Sequence, residues 1–305
     1  MAMTIGFVGL GMMGMPMVEN LARNPDFQIL AHDADESRKA AIDGLGANAG
    51  SLAWAASMSD LSTCRTVITM LPNSDITNAV IGALLNVLDK GATIIDMGSS
   101  HPLETEKLAR RATEAGIALL DAPVSGAVAK ARTGTLSIMV GGDSRAIDDA
   151  MPLLRSMGSD IIRTGAVGSA HAMKALNNYV YAAGLLAMSE ATAIAGRMGL
   201  DLGIFAEVLN ASSGRNVATE TKLKQFVLPR SFNAGFQLRL QAKDLATADS
   251  LGRKAGVSAD QLALCADIWR QAMGQLQPGA DNTEIIRFIE AASQTTQPGE
   301  EDVAD

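Results

Sequence analysis

Lys174 and Asn178 stand four residues apart near the start of a long stretch rich in Ala, Leu and Met, with Asn177 beside them. Residues three and four apart share one face of a helix, so Lys174 and Asn178 project together. A lysine whose charge is disfavoured by burial or by a nearby cation can take or give a proton near neutral pH. An amide one turn further on can donate to the oxygen between which and the lysine that proton moves. Hydride transfer at an alcohol carbon needs such a pair, a hydride carrier, and an anchor for the rest of the substrate.

The carrier's seat is written near the N-terminus. Thr4-Ile5-Gly6-Phe7-Val8 is a short apolar run, as expected of a buried parallel strand. It runs into Gly9-Leu10-Gly11-Met12-Met13-Gly14, a helix from Met15 to Arg23, and a second strand that ends at Asp33. In this arrangement Gly9 permits the tight turn, Gly11 lets the backbone approach a pyrophosphate, and Gly14 lets helix and strand pack closely. The cluster Met12, Met13, Met15 and Met17 reads first as packing of the first helix on the sheet, and Met12 and Met13 can also meet the cofactor through the backbone. Asp33 lies 19 positions past Gly14, where a carboxylate accepts hydrogen bonds from a ribose hydroxyl. It would repel a 2′-phosphate, so NAD is favoured over NADP, although Arg38 nearby keeps NADP open.

The anchor has a candidate in Asp121-Ala122-Pro123-Val124-Ser125-Gly126-Ala127, which offers backbone N–H groups and a hydroxyl to a carboxylate. Lys243 is a second cation that can meet the cofactor or an acidic substrate. Each residue also has a plain structural reading. A lysine early in a helix is usually solvated, Ser125-Gly126 alone is a turn, and Lys243-Asp244 alone is a solvated pair. His171, three positions before Lys174, can line the same pocket; His32 and His101 read as structural or cofactor-adjacent.

These residues need a scaffold. Strand-like runs at 66–71, 92–97, 117–123 and 136–142, with a last candidate at 160–163, alternate with helical segments. That pattern predicts an α/β fold with a Rossmann-type, doubly wound, mostly parallel sheet. Ligands bind such sheets beyond the carboxyl ends of the strands, where the loops at Pro72, Ser99 and Ser125 fall. From about 168 to 198 the chain reads as one helix, about 43 Å long at ~1.5 Å per residue. After it the reading is helical throughout: 202–211, 220–225, 241–255, 258–275 and 282–292. The expected division is a dinucleotide-binding domain over 1–165, an all-helical domain over 166–293 opened by the long connecting helix, and a disordered acidic tail over 294–305.

Composition narrows the function. A formal net charge of −8 argues against broad nucleic-acid binding, which needs basic surface. Two cysteines, Cys64 and Cys265, are too few for a disulfide framework, and no spacing suggests a metal site. With no secretory signal or membrane-spanning stretch in view, a cytoplasmic setting is expected.

Four segments together resemble the β-hydroxyacid dehydrogenase family, which includes 3-hydroxyisobutyrate dehydrogenases and tartronate semialdehyde reductases. They are Gly9 to Met17, Asp121 to Gly126 running on to Gly134-Thr135-Leu136, Gly165 to Asn178, and Lys243-Asp244-Leu245, in the family's order. The resemblance implies that Lys174 is the acid/base and that Asn178, with Asn177 close by, orients the substrate. It implies that Ser125 and Gly126, with Ala127 next to them, hold the substrate carboxylate and that Phe236 walls the pocket. Leu71, Pro72, Ser99 and Lys243 would line the cofactor with the Gly9–Gly14 loop, Leu10 included, and Asp33. It also implies homodimers or homotetramers.

The chain departs from the family at several points. Ala127 stands where a second glycine is usual, Gly98-Ser99 where Ser-Thr is usual, and Ala170 where glycine is frequent. Members with Asn-Arg at the positions of Asp33-Ala34 read NADP. The expectation is an NAD-dependent oxidoreductase that interconverts a small 3-hydroxy acid and its semialdehyde. The alternatives are an NADPH-dependent reductase of another small aldehyde or imine, and a non-catalytic reader module.

Overall fold

The structure is a computed structural model that describes residues 2–49 and 51–294. It divides into two compact units, one reaching to Lys174 and one beginning at Ala175.

The first unit is built on a sheet of nine strands among the described residues: β1 (Met3–Val8), β2 (Phe27–His32), β3 (Leu52–Trp54), β4 (Thr66–Thr69), β5 (Thr93–Asp96), β6 (Ala118–Asp121), β7 (Val124–Ser125), β8 (Leu136–Gly141) and β9 (Gly158–Gly165). The order is β3-β2-β1-β4-β5-β6-β8-β7, with β9 paired to β8. The six strands from β3 to β6 run parallel; β8 is antiparallel to β6 and β7 and parallel to β9. Strand residues such as Ile5, Phe7, Ile68, Ile95, Leu120 and Ile138 are wholly buried. Helices cover both faces of a parallel sheet, so its strands read as continuous apolar runs rather than alternating ones.

The order reverses between β1 and β4, and the loops after those strands open at this switch point. Helices fill the gaps that the sequence pattern left open: Lys39–Ala49, Ser74–Leu84, Ala127–Thr133 and Ser144–Met157. Two helix starts fix the site loops. Asn73 caps Ser74–Leu84 by accepting from the Ile76 N–H at 3.0 Å. His101 caps Pro102–Ala115, where Pro102 occupies the first turn and Gly116 ends the helix at φ +74°.

The helix Ser169–Arg197 begins in the first unit and continues into the second. Two residues past its end stands Gly199, whose φ of +73° glycine adopts easily. The second unit adds Leu202–Ala211, the segment Thr219–Val227, Leu238–Lys254, Asp260–Gln275 and Ile285–Gln294. Its core gathers Leu185, Leu223, Leu245, Trp269 and Ile285.

Two expectations shift here. Thr219–Val227 is a π-helix rather than a short α-helical piece at 220–225; the Leu228 N–H reaches back five residues to the Leu223 carbonyl at 2.9 Å. The helix expected from Gln241 starts at Leu238, because the Leu238 N–H is held by the Ala280 carbonyl at 2.8 Å. The tail expected from 294 lies outside the described residues beyond Gln294, which is still helical.

Among the described residues no helix is long and apolar enough to cross a membrane, and no group of three or more His, Cys, Asp or Glu is placed to hold a metal ion.

Candidate active site

The glycine loop after β1 combines two tight positions with an open one. Gly9 turns at φ +102°, and a β-carbon there would lie 2.4 Å from the Met70 carbonyl oxygen. At Gly14 a β-carbon would lie 1.9 Å from the Gly9 carbonyl oxygen. Both positions therefore require glycine. At Gly11 nothing lies within 4 Å of where a β-carbon would stand, and the residue is exposed. That space sits ahead of the N-terminus of the helix Gly14–Ala22, whose cap residue Met13 makes no side-chain capping bond. A helix dipole facing an uncovered glycine is what a pyrophosphate needs, so the residues present fit a dinucleotide. Met12 is 69% exposed beside this space, while Met13 packs against the core. Leu10 lies beneath the loop: its side chain is fully buried and its N–H donates to Asp33 Oδ2 at 2.5 Å.

Asp33 is thereby pinned to the loop. Its other oxygen accepts from the Asp35 N–H at 2.8 Å. Arg38, the candidate ligand for a 2′-phosphate, has its Nε 3.3 Å from Asp35 Oδ2. The Ser37 hydroxyl and amide, and then Arg38, hold the Asp35 carboxyl below its usual range.

The loops after β4 and β5 meet the glycine turn. Leu71 Cδ2 would be 3.2 Å from a β-carbon on Gly9, and the Leu71 carbonyl 2.9 Å from one on Gly98. A hydroxylated side chain at 98 has no room in this packing. Ser100 is buried and donates to Asp96 Oδ2 at 2.7 Å. Ser99, half-buried, is thus the hydroxyl of this loop nearest the surface, and Pro72 is exposed across from it on the neighbouring strand's loop.

Lys174 reaches the short strand β7. Its Nζ donates to the Val124 carbonyl at 2.7 Å, one residue before Ser125. Ser125 and Ala127 are exposed and Gly126 is half-buried. Gly126 has φ +134° and Ala127 has φ +55°. Ala127 therefore holds a left-handed conformation where the family usually has glycine. His171, expected to line the pocket with Lys174, instead turns inward: it is 2% exposed, and its Nδ1 lies 2.9 Å from Thr105 Oγ1.

In the second unit the helix carries on to Asn177, which is exposed, and Asn178, which is half-buried. Asn177 Nδ2 donates to Asn178 Oδ1 at 3.2 Å, and Asn178 Nδ2 donates to Asp244 Oδ2 at 2.6 Å. Gln241 Nε2 donates to the Asn178 carbonyl at 3.0 Å. Asp244 is 3% exposed and pairs with Lys243, whose Nζ lies 3.2 Å from its Oδ1. The plain reading of Lys243-Asp244 as a solvated pair fails here, because Asp244 is an interior group that fixes the Asn178 amide. Phe236 is half-buried, and its backbone is tied to Asp281 and Asn282 rather than to this cluster.

A parallel sheet with this glycine loop at its switch point is a dinucleotide-binding fold. Residues 4–167 match the family described as the NAD binding domain of 6-phosphogluconate dehydrogenase, and residues 168–289 match the NAD-binding family of NADP-dependent 3-hydroxyisobutyrate dehydrogenase. A 2-(hydroxymethyl)glutarate dehydrogenase from Eubacterium barkeri is 36% identical over 276 residues, covering 88% of this chain and 90% of its own. An NAD-dependent L-serine dehydrogenase from Pseudomonas aeruginosa is 33% identical, covering 89% and 92%. The solved structure of Mycobacterium tuberculosis 3-hydroxyisobutyrate dehydrogenase with L-serine superposes with a TM-score of 0.87 at 29% identity, over 95% of this chain and 99% of that one. The chain belongs to the β-hydroxyacid dehydrogenase family. It is an NAD(P)-dependent oxidoreductase of the kind that acts on a CH–OH group.

Proposed function

We propose that this enzyme oxidises a small 3-hydroxy acid to its semialdehyde, or the reverse, with NAD as the preferred cofactor and Lys174 as general acid/base. The observation that carries the reading is the bond from Lys174 Nζ to the Val124 carbonyl. It sets the lysine nitrogen one residue from Ser125, the hydroxyl proposed to hold the substrate carboxylate.

The division of labour follows from the groups present. Ser125 Oγ and the N–H groups of Gly126 and Ala127 anchor the carboxylate. Lys174 Nζ, as the neutral amine, takes the hydroxyl proton during oxidation and becomes the ammonium; as the ammonium it returns that proton during reduction. Asn178, its amide fixed by buried Asp244, donates to the same oxygen and so orients it; Asn177 and Phe236 complete the substrate's surroundings. The nicotinamide, when bound, supplies the acceptor or donor of hydride. The Gly9–Gly14 loop, Leu71, Pro72, Ser99 and Lys243 hold it, and Asp33 receives the ribose hydroxyls. NAD is preferred because Asp33 brings negative charge to the ribose site, while Asp35 engages Arg38.

We further propose residues 1–165 as the dinucleotide domain and 166–293 as the helical domain, a homodimer or homotetramer, and a cytoplasmic setting.

The test is a panel of 3-hydroxyisobutyrate, glycerate, L-serine, 3-hydroxypropionate and 4-hydroxybutyrate with NAD and NADP, followed by nicotinamide absorbance. Turnover of one acid with NAD, abolished in Lys174→Ala while NAD still binds, supports the reading. Substantial turnover by Lys174→Ala refutes the assignment of the acid/base.

A further inference from the structure

We propose that His171 is a positioning residue that clamps the turn carrying Lys174 between the loops bearing Ser99 and Ser125. The inference rests on the reading of Lys174 as acid/base and adds the device that holds it in place.

His171 is one turn before Lys174, but its ring points into the first unit. Its Nδ1 lies 2.9 Å from Thr105 Oγ1 and 3.8 Å from Asp121 Oδ2, and its Nε2 lies 3.8 Å from Asp96 Oδ2. Asp96 and Asp121 are 1% and 0% exposed. Buried carboxylates are costly unless hydrogen-bonded and offset by a polar or cationic partner. The imidazole stands between the two.

Each carboxylate has a second task that bears on the site. Asp121 accepts from the Gly168 and His171 N–H groups at 2.8 and 2.9 Å, so it holds the first turn of the lysine helix. Three residues after Asp121, the Val124 carbonyl receives Lys174 Nζ. Asp96 accepts from the Gly98 N–H at 3.1 Å, Ser100 Oγ at 2.7 Å and Thr69 Oγ1 at 3.1 Å, which fixes the backbone on both sides of Ser99. Thr105 ties the ring to the helix that follows that loop.

One side chain thus spans the end of β5, the helix after it and the end of β6, while its own backbone begins the turn that ends in Lys174. No part of it needs to touch substrate or cofactor. Its effect is on where Nζ stands relative to the two loops.

The test uses the full-length enzyme with His171→Leu, His171→Asn and Thr105→Val, and Lys174→Ala as control. Asparagine keeps an amide where Nδ1 stands and preserves the Thr105 contact; valine keeps the shape of Thr105 without its hydroxyl. Misplacing a catalytic group by about 1 Å costs up to ~100-fold, so His171→Leu and Thr105→Val should lower kcat at least about tenfold, with the KM of the acid and the Kd of NAD within about threefold. His171→Asn should recover most of the loss. Hydrogen exchange of the 168–175 amides should accelerate in His171→Leu and Thr105→Val, and that readout does not depend on turnover. If His171→Leu does not fold, the other two variants carry the test.

Folded variants that keep kcat within about twofold and leave the 168–175 amides protected would overturn the clamp. So would a uniform loss of kcat, substrate binding and NAD binding. Turnover retained by Lys174→Ala would refute the acid/base reading instead, and the exchange result would then decide the clamp alone.

Discussion

Gly11 and Gly14 of the loop after β1 should fail in different ways when given a methyl group, and the difference isolates the cofactor seat. At Gly14 a β-carbon would stand 1.9 Å from the Gly9 carbonyl, a backbone atom that cannot step aside. Gly14→Ala should therefore damage the ligand-free fold itself. At Gly11 a β-carbon would meet nothing within 4 Å, and its backbone is not in the left-handed region. Gly11→Ala should cost the ligand-free protein nothing; alanine at a compatible position raises stability by about 0.4–1 kcal/mol through the unfolded chain. The same methyl group would stand where the pyrophosphate must come close to the backbone.

The size of the effect follows from mass action. At an NAD concentration ~100 times the Kd, binding stabilises the wild type by about 2.7 kcal/mol. A hundredfold loss of affinity in Gly11→Ala would leave about 0.4 kcal/mol at the same concentration. Thermal unfolding of both variants and the wild type, with and without NAD, reads all of these quantities. The expected pattern is an unchanged or slightly raised midpoint for Gly11→Ala without NAD and almost no upward shift with it. An NAD shift in Gly11→Ala equal to that of the wild type would refute the placement of the pyrophosphate, and a normal ligand-free midpoint for Gly14→Ala would refute the packing argument.

Other perturbations separate the remaining parts. Lys174→Ala should lower kcat by about 10²–10⁴-fold while the NAD-dependent thermal shift persists. Asp33→Asn removes the charge proposed to face the ribose; a hydrogen bond to a charged group is worth about 1.5–3 kcal/mol, so the NAD-over-NADP ratio of kcat/KM should fall at least about tenfold, and an unchanged ratio would remove Asp33 from cofactor choice. Ala127→Gly relieves a left-handed alanine at φ +55°, worth about 1–2 kcal/mol, against a glycine entropy cost of about 0.5–1 kcal/mol. Urea unfolding should show a stability gain of up to about 1.5 kcal/mol, and a loss would show that the methyl group packs usefully. Burial pushes the thiols of Cys64 and Cys265 up to about 11 each, so neither should react with a thiol reagent at mildly alkaline pH until the chain unfolds.

The parallel half of the sheet was legible because its signals are local. A strand buried on both faces is a continuous apolar run such as Thr4–Val8, and the glycine spacing after it needs only a dozen residues to be read. The shorter pieces carried no such mark. β3 is three residues long and β7 two, and the helix Ala127–Thr133 is hardly two turns. Their place is set by pairing and packing, which override local preference. The π-helix Thr219–Val227 shows no period that separates it from a short α-helix.

The same contrast runs through the candidate site. Lys174 and Asn178 could be placed on one helix face because four residues separate them. His171 could not be oriented, because its partners Asp96, Thr105 and Asp121 lie 50 to 75 positions earlier in the chain, on three different elements. Asp244 had the look of a surface residue next to Lys243, yet it is buried against Asn178, 66 positions away. In both cases a charged or ionisable side chain is interior only because a polar partner from a distant segment meets it there. Spacing along the chain reveals the groups that could meet a ligand; it does not reveal the groups that hold them still. His171 meets its partners beside the first turn of the lysine helix, and Asp244 fixes the Asn178 amide, so these are the residues at which the physical argument gains most from the fold.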